Sequence, residues 1–101
     1  MKKIINGKKY NTETAKCVGN GTSNCGVTDF RYFDESLYLK KTGEFFLHGK
    51  GGGMTKYAIE VCGSMMGSEK IIPLSQQEAR AWGERYLDVE KYEEVFGVVE
   101  E

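Results

Sequence analysis

Glu69-Lys70-Ile71-Ile72-Pro73-Leu74-Ser75-Gln76-Gln77-Glu78 marks the point where an apolar strand gives way to a helix. Ser75 and Glu78 have the S-x-x-E spacing of a capping box: the serine oxygen accepts from the Glu78 amide, and the glutamate reaches back to the Ser75 amide. Pro73 keeps Ile72 extended and prevents an earlier helix start. Beyond the cap, Ala79, Trp82, Gly83, Tyr86 and Leu87 fall on one apolar stripe, which predicts a helix over residues 76–87. Asp88 is placed to cap a second helix over 89–96, with Val89, Tyr92 and Phe96 inward and Gly97 just past its end.

Upstream of this junction the chain reads as strands. Asn6-Gly7 supplies the two positive φ values of a type I′ turn, so Ile4-Ile5 and Lys8-Lys9-Tyr10 form a short hairpin. Residues 13–18 are ambiguous and are read as a short strand, and 19–24 as a loop by composition. Ser36-Leu37-Tyr38-Leu39-Lys40 and Glu44-Phe45-Phe46-Leu47-His48 flank Lys41-Thr42-Gly43, a three-residue turn with glycine in its third place. Phe30, Tyr32 and Phe33 extend this region, and its aromatics are expected to cover one face of the sheet. The glycines of 49–53 should break the outgoing strand. Residues 56–62 fit both a strand (Tyr57, Ile59, Val61) and a helical stripe; β-branching and flanking glycines favour the strand, with 63–68 a loop. The expected fold is a single α+β domain over 1–101: antiparallel β-hairpins over 1–74 forming a small sheet packed against two C-terminal helices over 75–97.

The composition suits a folded domain, with 40% hydrophobic and 12% aromatic residues. No run approaches the roughly 20 apolar residues of a bilayer span, and Asn6-Gly7-Lys8-Lys9 ends the first apolar run after two residues, so the expected compartment is the cytosol. Three cysteines, Cys17, Cys25 and Cys62, then read as free thiols, with a Cys17–Cys25 bridge as the alternative. The net charge of −1 conceals an asymmetry: residues 1–83 carry 12 bases and 8 acids (+4), and 84–101 carry 2 bases and 7 acids (−5).

Catalytic motifs are absent. His48 is the one histidine, with no serine or cysteine at a recognisable spacing, so no enzyme activity is expected and a hydrolase ranks last. A Cys₃His zinc site lacks any C-x₂₋₄-C pair, and no metal or cofactor is expected. The best small-ligand candidate is Gly51, Gly52 and Gly53 with His48, Lys50 and Lys56, where successive glycine amides form an anion-binding nest. The pattern is neither a P-loop nor G-x-G-x-x-G. Nucleic-acid binding draws on the N-terminal lysines and on Tyr32, Phe33 and Tyr38, but a pI near 5.9 and the lack of a recognition motif argue against it.

Lys2–Thr12, with its KKIINGKKYNT run, together with Lys40-Lys41-Thr42-Gly43-Glu44-Phe45-Phe46-Leu47-His48-Gly49, Thr55-Lys56-Tyr57-Ala58 and Glu69-Lys70-Ile71-Ile72-Pro73-Leu74-Ser75, resembles a family of small proteins encoded by phages and mobile elements of Firmicutes. The resemblance implies a context of host takeover or anti-defence, including anti-CRISPR-like inhibitors, which act by occluding a partner or sequestering a nucleotide. The expectation is therefore a cytosolic protein that binds and inhibits a host defence component. Contact would come through Asp88, Glu90, Glu93 and Glu94 of the acidic helix pair, or through exposed hairpin aromatics. A nucleotide sponge at the glycine-rich segment is the alternative. A homodimer fits either, since an unpaired hairpin edge invites self-pairing.

Overall fold

The computed structural model describes residues 1–100, which form eight strands and two helices. The strands are β1 (Lys2–Ile5), β2 (Lys8–Asn11), β3 (Lys16–Thr22), β4 (Phe33–Leu39), β5 (Phe45–Gly51), β6 (Ile59–Val61), β7 (Ser64–Met66) and β8 (Ser68–Leu74). The helices are α1 (Gln76–Tyr86) and α2 (Val89–Phe96). An antiparallel sheet in the order β3-β4-β5-β8 is the centre of the fold, while β1–β2 and β6–β7 are separate hairpins. This is the expected α+β arrangement, and both bonds of the Ser75–Glu78 capping box are formed, at 3.1 and 2.9 Å. Asp88 caps α2 by accepting from the Lys91 amide at 2.7 Å.

The sheet is covered on both faces. On one, Trp82 and Ala79 of α1 pack on Val18, Leu37, Phe45 and Leu47, and Phe96 of α2 reaches Phe45 at a ring distance of 5.3 Å. On the other, Tyr10 of the β1–β2 hairpin packs on Phe46 and Ile71, with Tyr38 stacked against Phe46. Burial from both sides explains the unbroken run Phe45-Phe46-Leu47, where a sheet wet on one side would alternate.

Five expected boundaries are corrected. Of the 19–24 segment only Ser23 and Asn24 are loop: β3 continues to Thr22, with Gly21 under the ring of Tyr86 and Gly19 under Leu87, where a Cβ would collide. The outgoing strand does end within 49–53, but only after Gly51: Gly49 and Lys50 are still β5, and a Cβ on Gly49 would stand 2.5 Å from the Tyr57 hydroxyl. Residues 63–68 are no loop, since Cys62 and Gly63, both at positive φ, turn β6 into β7, and Ser68 already opens β8. Of 56–62 only Ile59–Val61 is strand, and of 13–18 only the part from Lys16. Val89 is exposed instead of inward, since it lines the open groove between the two helices, and Phe30 is exposed in the 23–32 connection.

Glu44 pins the β1–β2 hairpin to the sheet. Its carboxylate accepts from Lys8 (2.7 Å), Lys40 (3.1 Å) and Thr42 (3.0 Å). The hydrogen bond from Lys8, then those from Lys40 and Thr42, hold its pKa at about 2 against an ordinary 4.5. A depressed carboxyl pKa stabilises the fold above 4.5, and the contribution is lost as pH falls towards about 2. Urea titrations should show Glu44→Gln less stable than wild type at about pH 6, with the gap closing below about pH 3. A gap that does not change with pH would disconnect Glu44 from the acid sensitivity of the fold.

Candidate functional site

Period-two alternation sets Phe33, Glu35, Leu37 and Leu39 on the helix-facing side of β4, so a carboxylate enters the apolar layer. Glu35 is 1% exposed. Its Oε1 accepts from the Tyr57 hydroxyl (2.6 Å) and lies 2.7 Å from Lys56 Nζ, while Oε2 accepts from the Trp82 indole at 2.7 Å. Burial, followed by the bond to Glu35, pushes the Tyr57 hydroxyl far above its ordinary pKa, so it remains a donor. With both oxygens engaged, Glu35 serves as a brace. A cleft of about 350 Å³ opens beside it, with Phe33, Lys56, Trp82, Arg85 and Tyr86 in its walls. The signal for this cluster was present in the sequence: extending the β4 alternation two residues upstream of Leu37 puts Glu35 in the buried phase.

The glycine-rich candidate site is divided by the sheet. Lys56 belongs to the helix side with Glu35, whereas Lys50 stands on the opposite face between its cross-strand neighbours Asp34 and Glu69. Gly51 lies in β5, the Gly52 amide donates to the Tyr32 carbonyl at 2.8 Å, and Gly53 packs against the Met65 backbone. The segment is therefore not an open nest of free amides. His48 shares the Lys50 face, in a hollow of about 200 Å³ with Asn20, Asp34, Ser36 and Glu69. Its Nε2 is buried, 3.2 Å from Glu69 Oε2 but not aligned to hydrogen-bond with it. Ser36 is directly across from His48, yet its hydroxyl accepts from Asn20, so the two form no nucleophile–base pair. Among the described residues no three His, Cys, Asp or Glu side chains are grouped to hold a metal, and the three cysteines are free thiols.

The acidic candidates separate into two sets. Asp88 and Glu93, joined by Glu84 from α1, border a groove of about 580 Å³ between the helices, floored by Leu87, Val89, Tyr92 and Val99. Glu90 and Glu94 lie outside that lining. Of the hairpin aromatics, Phe45 and Phe46 are core and Tyr38 is stacked on Phe46, whereas Phe30 is exposed. The Met54 amide donates to the Phe30 carbonyl, and Gly53 packs on Met65 and Met66, which brings Phe30 and Met54 beside the β6–β7 hairpin as an apolar pole; the register sets Ile59, Val61 and Met66 on one face of that hairpin and Met65, with Glu60, on the other. All six side chains are exposed, Phe30 and Met54 to 70%. Neither β6 nor β7 exceeds three residues, and none of their side chains is buried.

Comparison with protein-family models, curated proteins and solved structures found no match to this chain.

Glu35→Ala should cost about 2–5 kcal/mol in urea unfolding, since it leaves the buried Trp82 and Tyr57 donors without an acceptor. Combined with Trp82→Phe in a double-mutant cycle, it should show a coupling of about 0.5–3 kcal/mol. Additive effects would mean that the Glu35–Trp82 bond contributes nothing of its own.

Proposed function

We propose that this chain is an interaction protein that binds a host defence component in the bacterial cytosol and inhibits it by occlusion. The contact is the apolar pole, through the face of the β6–β7 hairpin that carries Ile59, Val61 and Met66. The observation that carries this reading is the concentration of exposed large apolar side chains there, on a hairpin of two three-residue strands. Small domains rarely leave such a surface uncovered without a binding role, and a two-stranded hairpin of this length gains little stability by itself. Methionine suits the task, because an unbranched, polarisable side chain adapts to the surface it meets. The phage context follows from the sequence resemblance and supplies the class of partner.

No helix is long and apolar enough to cross a membrane among the described residues. For the nucleotide-sponge alternative, Lys50 and Lys56 would have to act on one surface, and they lie on opposite faces of the sheet.

Expressed in a bacterium with an active defence system, the wild-type chain should restore phage plating. The double variant Ile59→Glu with Met66→Glu, at two exposed positions directly across from one another, should lose that restoration and bind the defence component at least about tenfold more weakly, equivalent to roughly 1.4 kcal/mol. Circular dichroism should show its fold unchanged. Full restoration by the variant would remove the pole as the contact, and failure of the wild type against a panel of defence systems would overturn the inhibitor reading.

A further inference from the structure

Two surfaces of opposite charge on this chain match one another. The register of β1 and β2 sets Ile4 directly opposite Lys9 and Lys2 opposite Asn11, so Lys2, Ile4 and Lys9 share the hairpin's outward face. The inward face carries Ile5 and Tyr10, packed against Phe46 and Ile71. Ile4 is 65% exposed. Lys2 and Lys9 are exposed too, and neither makes an ion pair among the described residues. The result is an apolar knob flanked by two ammonium groups.

The groove between α1 and α2 has the complementary character. Leu87, Val89, Tyr92 and Val99 give it an apolar floor, Glu84, Asp88 and Glu93 border it, and no lysine or arginine among the described residues lines it. Val89 is 74% exposed, so the described residues do not fill this space.

We infer that the outward face of the β1–β2 hairpin docks into the α1–α2 groove of a second copy of this chain, so that copies associate head to tail. The knob supplies what the groove lacks: cations for its carboxylates and a branched aliphatic side chain for its floor. The same complementarity runs through the whole chain, which is +4 over residues 1–83 and −5 over 84–101. Knob and groove are different surfaces, so the contact is heterologous: each copy that engages one partner keeps a free knob or a free groove for the next, and assembly proceeds to a ring or an open chain. The apolar pole takes no part in it and remains available to another protein.

The test is sedimentation velocity over a concentration series at roughly 0.05 and 0.5 M salt, because contacts between exposed charges are screened at high ionic strength. The wild type should form species larger than a monomer that grow with concentration and recede in high salt. Ile4→Asp disables the knob and Val89→Asp disables the groove; both positions are exposed, and circular dichroism verifies the fold. Each variant alone should associate at least about tenfold more weakly than wild type. Mixed, they should form a one-to-one dimer and nothing larger, because only the knob of the Val89→Asp chain and the groove of the Ile4→Asp chain remain. A wild type that stays monomeric, variants that assemble like wild type, or a mixture that stays monomeric would each overturn the inference.

Discussion

Glu35 is the point through which three parts of the chain are joined. Its carboxylate belongs to the second strand of the sheet, and its donors come from α1 (Trp82) and from the segment between β5 and β6 (Lys56, Tyr57). A buried carboxylate is tolerated only when each oxygen is engaged, and here geometry allows few alternatives. The helix must present Trp82 at one height over the sheet, and Tyr57 must lie over Gly49, where a larger residue would collide with its hydroxyl. Apolar packing alone would permit small slides of α1 along the sheet. The three donors remove that freedom, which is a gain in specificity more than in net stability.

The glycines of the central sheet belong to the same design. Gly19 and Gly21 let the end of α1 settle on β3 through Leu87 and Tyr86, and Gly49 makes room for Tyr57. Leu87 thereby reaches both the sheet and the floor of the acidic groove, so packing of the core and shape of the groove are set by the same contacts. In a chain of this length the covered sheet takes up most of the apolar side chains. Most of those left exposed lie at the β6–β7 pole, at the knob of the first hairpin, and at the start of α2 with the residues that follow it, with Val27 apart in the 23–32 connection.

These surfaces are what the proposed interaction role rests on. The chain's one histidine faces Glu69 in a shallow hollow, and its best-buried carboxylate has both oxygens occupied. The apolar pole and the knob–groove pair differ in chemistry. The pole is methionine-rich and has little charge, which suits an adaptable contact with another protein. The knob and groove are matched in charge, which suits a salt-sensitive contact between copies.

Local chemistry made a large part of the fold legible in the sequence. Asn6-Gly7 determined the first turn, Gly43 the second, Ser75 with Glu78 the start of α1, and Asp88 the start of α2, because each acts through hydrogen bonds or φ values within a few residues. The alternation from Phe33 to Leu39 also contained Glu35's inward position, although nothing local identified its partners. What only the tertiary structure decided was the role of the glycines and the meeting of distant side chains. Gly19, Gly21, Gly49 and Gly51 carry the composition of a loop, yet they are strand because Leu87, Tyr86, Tyr57 and Thr55 fill the space above them. Glu35 meets Trp82 across 47 positions, and Lys50 and Lys56, six apart, end on opposite faces of one sheet. Such placements depend on which strand lies beside which, information that no window of neighbouring residues contains.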